Sequence, residues 1–138
     1  AAADAVMLFS KAGGLELPIL EAMACEVPVI GINAHAIGEH LADGRGYGVS
    51  PGFIHMDVWG NGLRYYVKVH EAVEALDFLY ENKPEKAMLA AARQYVAART
   101  WKKAGQLLAD ILNQGNTLHE QDKEKRTTAP ALLLEGAS

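Results

Sequence analysis

Five consecutive apolar residues, Ala5-Val6-Met7-Leu8-Phe9, stop at Ser10-Lys11-Ala12 and the pair Gly13-Gly14. A short apolar run bounded in this way predicts a strand buried on both faces of a sheet. Pro18-Ile19-Leu20-Glu21-Ala22-Met23-Ala24-Cys25 follows, with a proline suited to the first turn and good helix formers after it, so a helix is predicted with Leu17 at its cap. Val27-Pro28-Val29-Ile30-Gly31-Ile32 reads as a second apolar strand, its proline near the start where a missing donor is tolerated. A short helix is expected over Ala36–Ala42, closed by Asp43-Gly44, and then a third small strand at Tyr47-Gly48-Val49. Strand, helix, strand, helix, strand predicts a parallel α/β architecture.

Residues 50–67 mix glycine, proline and aromatic residues without a clean period and are expected to form a long ordered loop. Beyond it the spacing becomes helical. Val69, Val73, Leu76 and Tyr80 mark one face; Met88, Ala91, Tyr95 and Ala98 a second; Ala104, Leu107, Leu108, Ile111 and Leu112 a third. Asn82-Lys83-Pro84 separates the first two helices, Thr100 suits the cap of the third, and Trp101 is expected to anchor a core. Residues 1–113 are therefore expected to form one partial domain. Residues 114–138 are polar and charged and are expected to be a disordered tail. Ala131-Leu132-Leu133-Leu134 near its end reads either as a loose terminus or as a docking patch.

Composition narrows the function classes. Half of the 138 residues are hydrophobic and 22% are charged, enough to bury an interior. No apolar run approaches the ~20 residues that span a bilayer. A single cysteine, Cys25, leaves no internal disulfide and reads as a packed small hydrophobe, which fits a cytoplasmic protein. The net charge of −4 gives no basic footprint for nucleic acid. Residues 1–44 carry Asp4, Glu16, Glu21, Glu26, Glu39 and Asp43 against Lys11 alone, six negative to one positive, a balance of −5. The opening at Ala1, without a basic-then-apolar leader, leads us to expect a piece of a longer protein.

The chemistry is expected in the loop from Gly13 to Leu17, because ligands of open parallel sheets bind at the carboxyl ends of strands. Gly13 and Gly14 let backbone approach a bound group closely. A leucine at the cap offers no side-chain acceptor, so the N–H groups of Ile19 and Leu20 are expected to be free for an anion, with the helix dipole behind them. Glu21, expected in the first turn, points its carboxylate back toward the loop. Glu21 either accepts hydrogen bonds from a diol of the ligand or simply complements the dipole, or else Glu16 caps the helix itself.

The run Ala3-Asp4-Ala5 through Phe9-Ser10, then Gly14, Leu17 through Cys25, and Pro28-Val29-Ile30 closely resembles the second half of the nucleotide-sugar domain of GT-B fold glycosyltransferases. Within them it is similar to the large retaining group 1 family that includes sucrose and glycogen synthases. Ala36-Ile37-Gly38-Glu39 resembles that family's Gly-Ile-Pro-Glu turn, and Ala92-Arg93 and Thr100-Trp101 its closing helices. The resemblance implies a partial Rossmann-like sheet followed by three C-terminal helices. It implies hexosyl transfer from a nucleoside-diphosphate sugar to an acceptor hydroxyl, with retention and without a metal or other cofactor. Gly13, Gly14, Leu15, Glu16 and Leu17 would face the donor sugar and diphosphate, and Glu21 the ribose.

The family's motif has two glutamates with seven residues between them. Glu21 matches the second, whereas the first falls on Gly13. Leu15 stands for the usual Phe, and Glu16 and Glu26 each stand for Gly. Glu16, three residues along the loop, is the candidate to reach the sugar hydroxyls instead. The family's diphosphate-neutralising Arg and Lys, and its acceptor domain, would lie ahead of Ala1 or on a partner chain. The chain alone is thus expected to be inactive. A second reading is a degenerate, non-catalytic nucleotide-sugar-binding or assembly module, and a third is a nucleotide-sugar epimerase of the same fold.

Two further groups were weighed. His35 and Glu39 stand at i, i+4, a spacing that a metal could use, but His40 falls off that face, so the group reads as a turn histidine and a solvated helix end rather than a metal site. The aromatic stretch Met56–Tyr66 either shapes an acceptor or base pocket or packs under its own turn.

Overall fold

The computed structural model describes residues 3–60 and 62–128, with side chains as far as residue 115. The chain divides into two units, Ala1–Ala98 and Arg99–Ser138. In the first, β1 (Val6–Leu8), α1 (Leu17–Ala24), β2 (Val29–Ile32), α2 (His35–Leu41) and β3 (Tyr47–Val49) alternate as the apolar pattern predicts. The three strands are parallel in the order β1-β2-β3, with Val6 opposite Val29 and Ile30 opposite Tyr47. All four residues of β2 are buried.

Successive side chains of a strand point to opposite faces, and β2 uses both. Val29 joins Ile19, Ala22 and Met23 of α1, Ile37 and Leu41 of α2, and Ala92 of α4 (Lys86–Ala97) in one cluster. Ile30 joins Val49 and Ala72 of α3 (Val69–Glu81) in another. Helices therefore cover both sides of the sheet. By contrast, β1 is not buried on both faces: it pairs only with β2, and Met7 is exposed.

The connection from α1 to β2 closes with a left-handed turn. Cys25 is the C-cap, the Glu26 N–H donates to Met23 O (3.1 Å), and the Val27 N–H donates to Ala22 O (2.9 Å). This bond pair favours glycine at the turn residue, yet Glu26 occupies it with φ 57°. Its ion pair with Arg93 (3.1 Å) is solvent-exposed and contributes little. Glu26→Gly is expected to raise stability by about 1 kcal/mol by relieving the left-handed strain. A rise in the urea midpoint at unchanged slope is the expected reading; an unchanged midpoint refutes it. Cys25 itself is exposed rather than packed, because a C-cap residue sits past the helix's buried face.

Residues 50–67 are not a loop. β4 (Pro51–Asp57) and β5 (Gly62–Val67) form an antiparallel hairpin, with Ile54 opposite Tyr65 and an irregularity between Pro51 and Phe53. No period-two signal marks β4 because Phe53, Ile54 and Met56 are all exposed, and only the end of β5, through Tyr65 and Val67, packs against the core. The Arg64 guanidinium bonds Asp57 across the strands and, with the Trp59 N–H, holds that carboxyl below its ordinary range. At the base, Glu71 accepts from Lys68 Nζ (2.7 Å) and from the Ser50 N–H (3.0 Å), which lowers its pKa and ties α3 to the end of β3.

The face that α3 buries is not the one the sequence spacing selects. Val69, Val73, Leu76 and Tyr80 are exposed, while Ala72, Ala75 and Leu79 pack inward and Phe78 meets the Tyr47 ring. Small alanines allow a close approach to the sheet, so they rather than the larger residues turn toward it. α4 buries Ala92, with Tyr95 and Val96 packed against the α1 cluster.

The second unit holds α5 (Trp101–Thr128). Thr100 caps it, its Oγ1 accepting from the Lys103 N–H (3.2 Å). Trp101 is 83% exposed and anchors no core. Leu107, Leu108, Ile111 and Leu112 lie along the helix and are exposed. The helix runs through the polar segment as far as Thr128, and Ala131-Leu132-Leu133-Leu134 lies outside the described residues.

Candidate functional site

The loop between β1 and α1 leaves the carboxyl end of β1, where an open parallel sheet presents ligands. Its backbone is fastened at three carbonyls. The His35 Nε2–H donates to Ser10 O (3.0 Å), the Tyr65 N–H to Lys11 O (2.8 Å), and the His40 Nε2–H to Leu15 O (2.6 Å). Between these ties Gly13 and Gly14 are exposed, and the space beside Gly14 is open.

Glu16, not Leu17, is the N-cap of α1, and it holds the left-handed conformation with φ 54° and ψ 57°. Its side chain does not cap the helix. Instead it folds back over the loop, where Oε2 accepts from the Ser10 hydroxyl (3.3 Å) and Oε1 lies 1.7 Å from where a Cβ on Gly13 would stand. The absence of a side chain at residue 13 is thus the space that the Glu16 carboxylate fills. Left-handed backbone costs a non-glycine residue about 1–2 kcal/mol, so the carboxylate is held there against local strain.

The start of α1 differs in detail from the expected one. The Ile19 N–H is not free: it donates to Glu16 O (3.0 Å). With the helix beginning at Leu17, Glu21 sits in the second turn rather than the first, about one turn (~5.4 Å of axial rise) beyond Leu17. It is exposed, as are Leu15 and Leu17, while Ile19 below is fully buried. Gly13, Gly14, Leu15, Leu17 and Glu21 are thus exposed along the loop and the start of α1, with Glu16 half-buried among them.

Neither His35 nor His40 is a solvated turn residue. His40 is 4% exposed and bridges the loop to α4, with its Nδ1 paired to the Tyr95 hydroxyl (2.9 Å). The His35 ring packs on Tyr65, and its Nδ1 is buried without a partner. Glu39 is exposed, and Arg45 binds its carbonyl rather than its carboxylate. Among the described residues no group of three or more His, Cys, Asp or Glu is gathered as for a metal, and no helix is long and apolar enough to cross a membrane.

Sequence reasoning did not find Ser10, His40 or Tyr95 as supports of this loop. Only the serine sits near enough in sequence to have been suspected, since Tyr95 reaches His40 from 55 residues away. Lys11, the lone cation of residues 1–44, places its ammonium over the Tyr66 ring, 4.6 Å from the centroid.

No curated protein matches the chain. Residues 1–57, which hold β1, the glycine loop, α1, β2, α2, β3 and β4, match the family model described as glycosyl transferases group 1.

Proposed function

We propose that this chain supplies the donor-binding part of a glycosyltransferase, which moves a hexosyl group from a nucleoside-diphosphate sugar to an acceptor hydroxyl. The family match over residues 1–57 supports sugar transfer in general. The observation that carries the donor-site reading is the Glu16 carboxylate, held in a strained backbone over Gly13 at the end of β1. Strained non-glycine residues concentrate at functional sites, where geometry outweighs local stability.

In this reading Glu16 accepts hydrogen bonds from the sugar hydroxyls, Gly13 and Gly14 let the sugar and diphosphate approach the backbone, and Glu21 accepts from the ribose diol. Leu15 and Leu17 flank the sugar and exclude water. The resemblance to retaining enzymes supports stereochemical retention with the leaving diphosphate as base, and in this reading no side chain here serves as a proton carrier. Residues 1–44 offer one cation against six anions. The cations facing the diphosphate therefore come from a longer parent or a partner chain, and this chain alone does not turn over donor. A cytoplasmic location fits the single free cysteine.

The test is binding of UDP-glucose and GDP-mannose by calorimetry, comparing the wild-type chain with Glu16→Gly and Glu21→Ala. Glu16→Gly is expected to be more stable by about 1 kcal/mol through strain relief. It is also expected to bind its donor about tenfold more weakly, a loss of ~1.4 kcal/mol, as befits one hydrogen bond to a charged group. Opposite signs for stability and affinity mark a residue kept for its ligand. Wild-type affinity in both variants sinks the donor-site reading. Saturable binding of the sugar nucleotide without turnover, even when the parent chain is restored, selects the degenerate binding module, which Gly13 in place of a glutamate favours.

A further inference from the structure

We infer that His40 is a positioning residue that sets the conformation of the Gly13–Leu17 loop by clamping a single peptide group. The Leu15 carbonyl can only accept, so the hydrogen at 2.6 Å belongs to His40 Nε2. Nδ1 of the same ring pairs with the Tyr95 hydroxyl (2.9 Å). Both ring nitrogens are used in a side chain only 4% exposed. The ring is also fixed from outside: Tyr95 packs edge-on with centroids 5.9 Å apart, and the Arg45 guanidinium covers the Tyr95 ring at 4.1 Å. The backbone of His40 is held as well, because Arg45 Nε donates to its carbonyl (2.9 Å) and a second guanidinium nitrogen to Glu39 O (2.7 Å).

The clamped peptide is the one that matters for Glu16. The plane joining Leu15 to Glu16 is one of the two planes whose relative rotation defines φ of Glu16. Holding the Leu15 carbonyl inward holds that φ at 54°, where an L-residue does not rest unaided. Released, the residue relaxes toward negative φ and its carboxylate leaves the space over Gly13. The histidine thus acts through the backbone of Glu16 and touches no ligand itself. Its effect on the loop is independent of function; its effect on donor affinity rests on the donor-site reading above.

The experiment compares His40→Leu, His40→Gln and Tyr95→Phe in the full 138-residue chain. Amide hydrogen exchange of a peptide covering Gly13–Ile19 is the direct readout. His40→Leu is expected to accelerate its exchange tenfold or more while β2 stays protected. Glutamine presents an N–H where the imidazole has Nε2–H, and His40→Gln is expected to return the loop to near wild-type exchange. Tyr95→Phe, which keeps the clamp but removes what orients it, falls between. UDP-glucose affinity provides the second readout: His40→Leu weakens it as Glu16→Gly does, and adds nothing in a Glu16→Gly background, whereas a merely structural loss adds. Unchanged loop exchange in both His40→Leu and Tyr95→Phe overturns the proposal; should His40→Leu not fold, Tyr95→Phe and His40→Gln decide it. Faster loop exchange in a chain that never binds the sugar nucleotide keeps the clamp and discards the donor site.

Discussion

Gly31→Val is expected to destabilise the first unit more than any other single change proposed for it. Gly31 lies in the middle of the fully buried central strand, and a Cβ there would stand 2.6 Å from an Ile37 methyl, 3.1 Å from a Leu41 methyl and 3.2 Å from the Leu8 carbonyl oxygen. The first two neighbours are core side chains of α2, and the third is backbone of β1. None can retreat without opening the sheet or lifting the helix. Overpacking of this kind costs about 1–3 kcal/mol for one or two methyl groups and more where backbone blocks relief, against a total of about 5–15 kcal/mol for a domain. Valine brings three carbons, so a loss of about 3 kcal/mol or more is expected, and Gly31→Ala a smaller one. Urea denaturation followed by far-ultraviolet circular dichroism measures both; midpoints equal to wild type would mean that α2 is free to shift. The absent side chain also fixes how closely α2 sits on β2, and hence where His35 and His40 reach the loop.

Gly13→Ala is expected to do the reverse, sparing the fold and abolishing the donor contact. The three atoms nearest the new methyl all belong to one flexible side chain, that of Glu16, with its carboxylate oxygen at 1.7 Å. The carboxylate swings into solvent at small cost and gives up its bond with the Ser10 hydroxyl. Donor affinity should therefore fall by about tenfold, the ~1.4 kcal/mol expected for Glu16→Gly, with the thermal midpoint almost unmoved. Combining Gly13→Ala with Glu16→Gly should weaken binding no further. Calorimetric titration with the same two sugar nucleotides measures this. Full affinity in Gly13→Ala would show that the ligand does not use the space above residue 13.

The parallel β/α core was legible because each element announces itself locally. Val29-Ile30-Gly31-Ile32 is apolar on both faces, Pro18 opens a helix, and Asp43-Gly44 closes one. That Glu16 shares a loop with Gly13 was also legible, and the structure adds that its carboxylate fills the space over residue 13. What lay hidden depended on partners distant in sequence. The His40–Tyr95–Leu15 chain joins three elements, and no local pattern distinguishes such a histidine from a solvated one. The left-handed backbone at Glu16 and Glu26 was hidden for another reason. Glutamate itself does not advertise it, and the only trace is that the resembled family has glycine at both positions. The hairpin escaped because β4 and the first half of β5 are exposed, and Tyr65 and Val67 alone pack against the core, too few positions to show an alternation.

The three fastened carbonyls of the loop have an electrical consequence. In a trans peptide the C=O of one residue and the N–H of the next point in opposite directions. With the oxygens of Ser10, Lys11 and Leu15 drawn toward the protein, the amides of Lys11, Ala12 and Glu16 turn their hydrogens away from it. The stretch from Ser10 to Leu17, whose charged side chains are Lys11 and Glu16 alone, thereby turns the positive ends of three amide dipoles outward. That positive potential belongs to the fold itself: no lysine needs to be ordered to create it, and no change of side-chain protonation removes it.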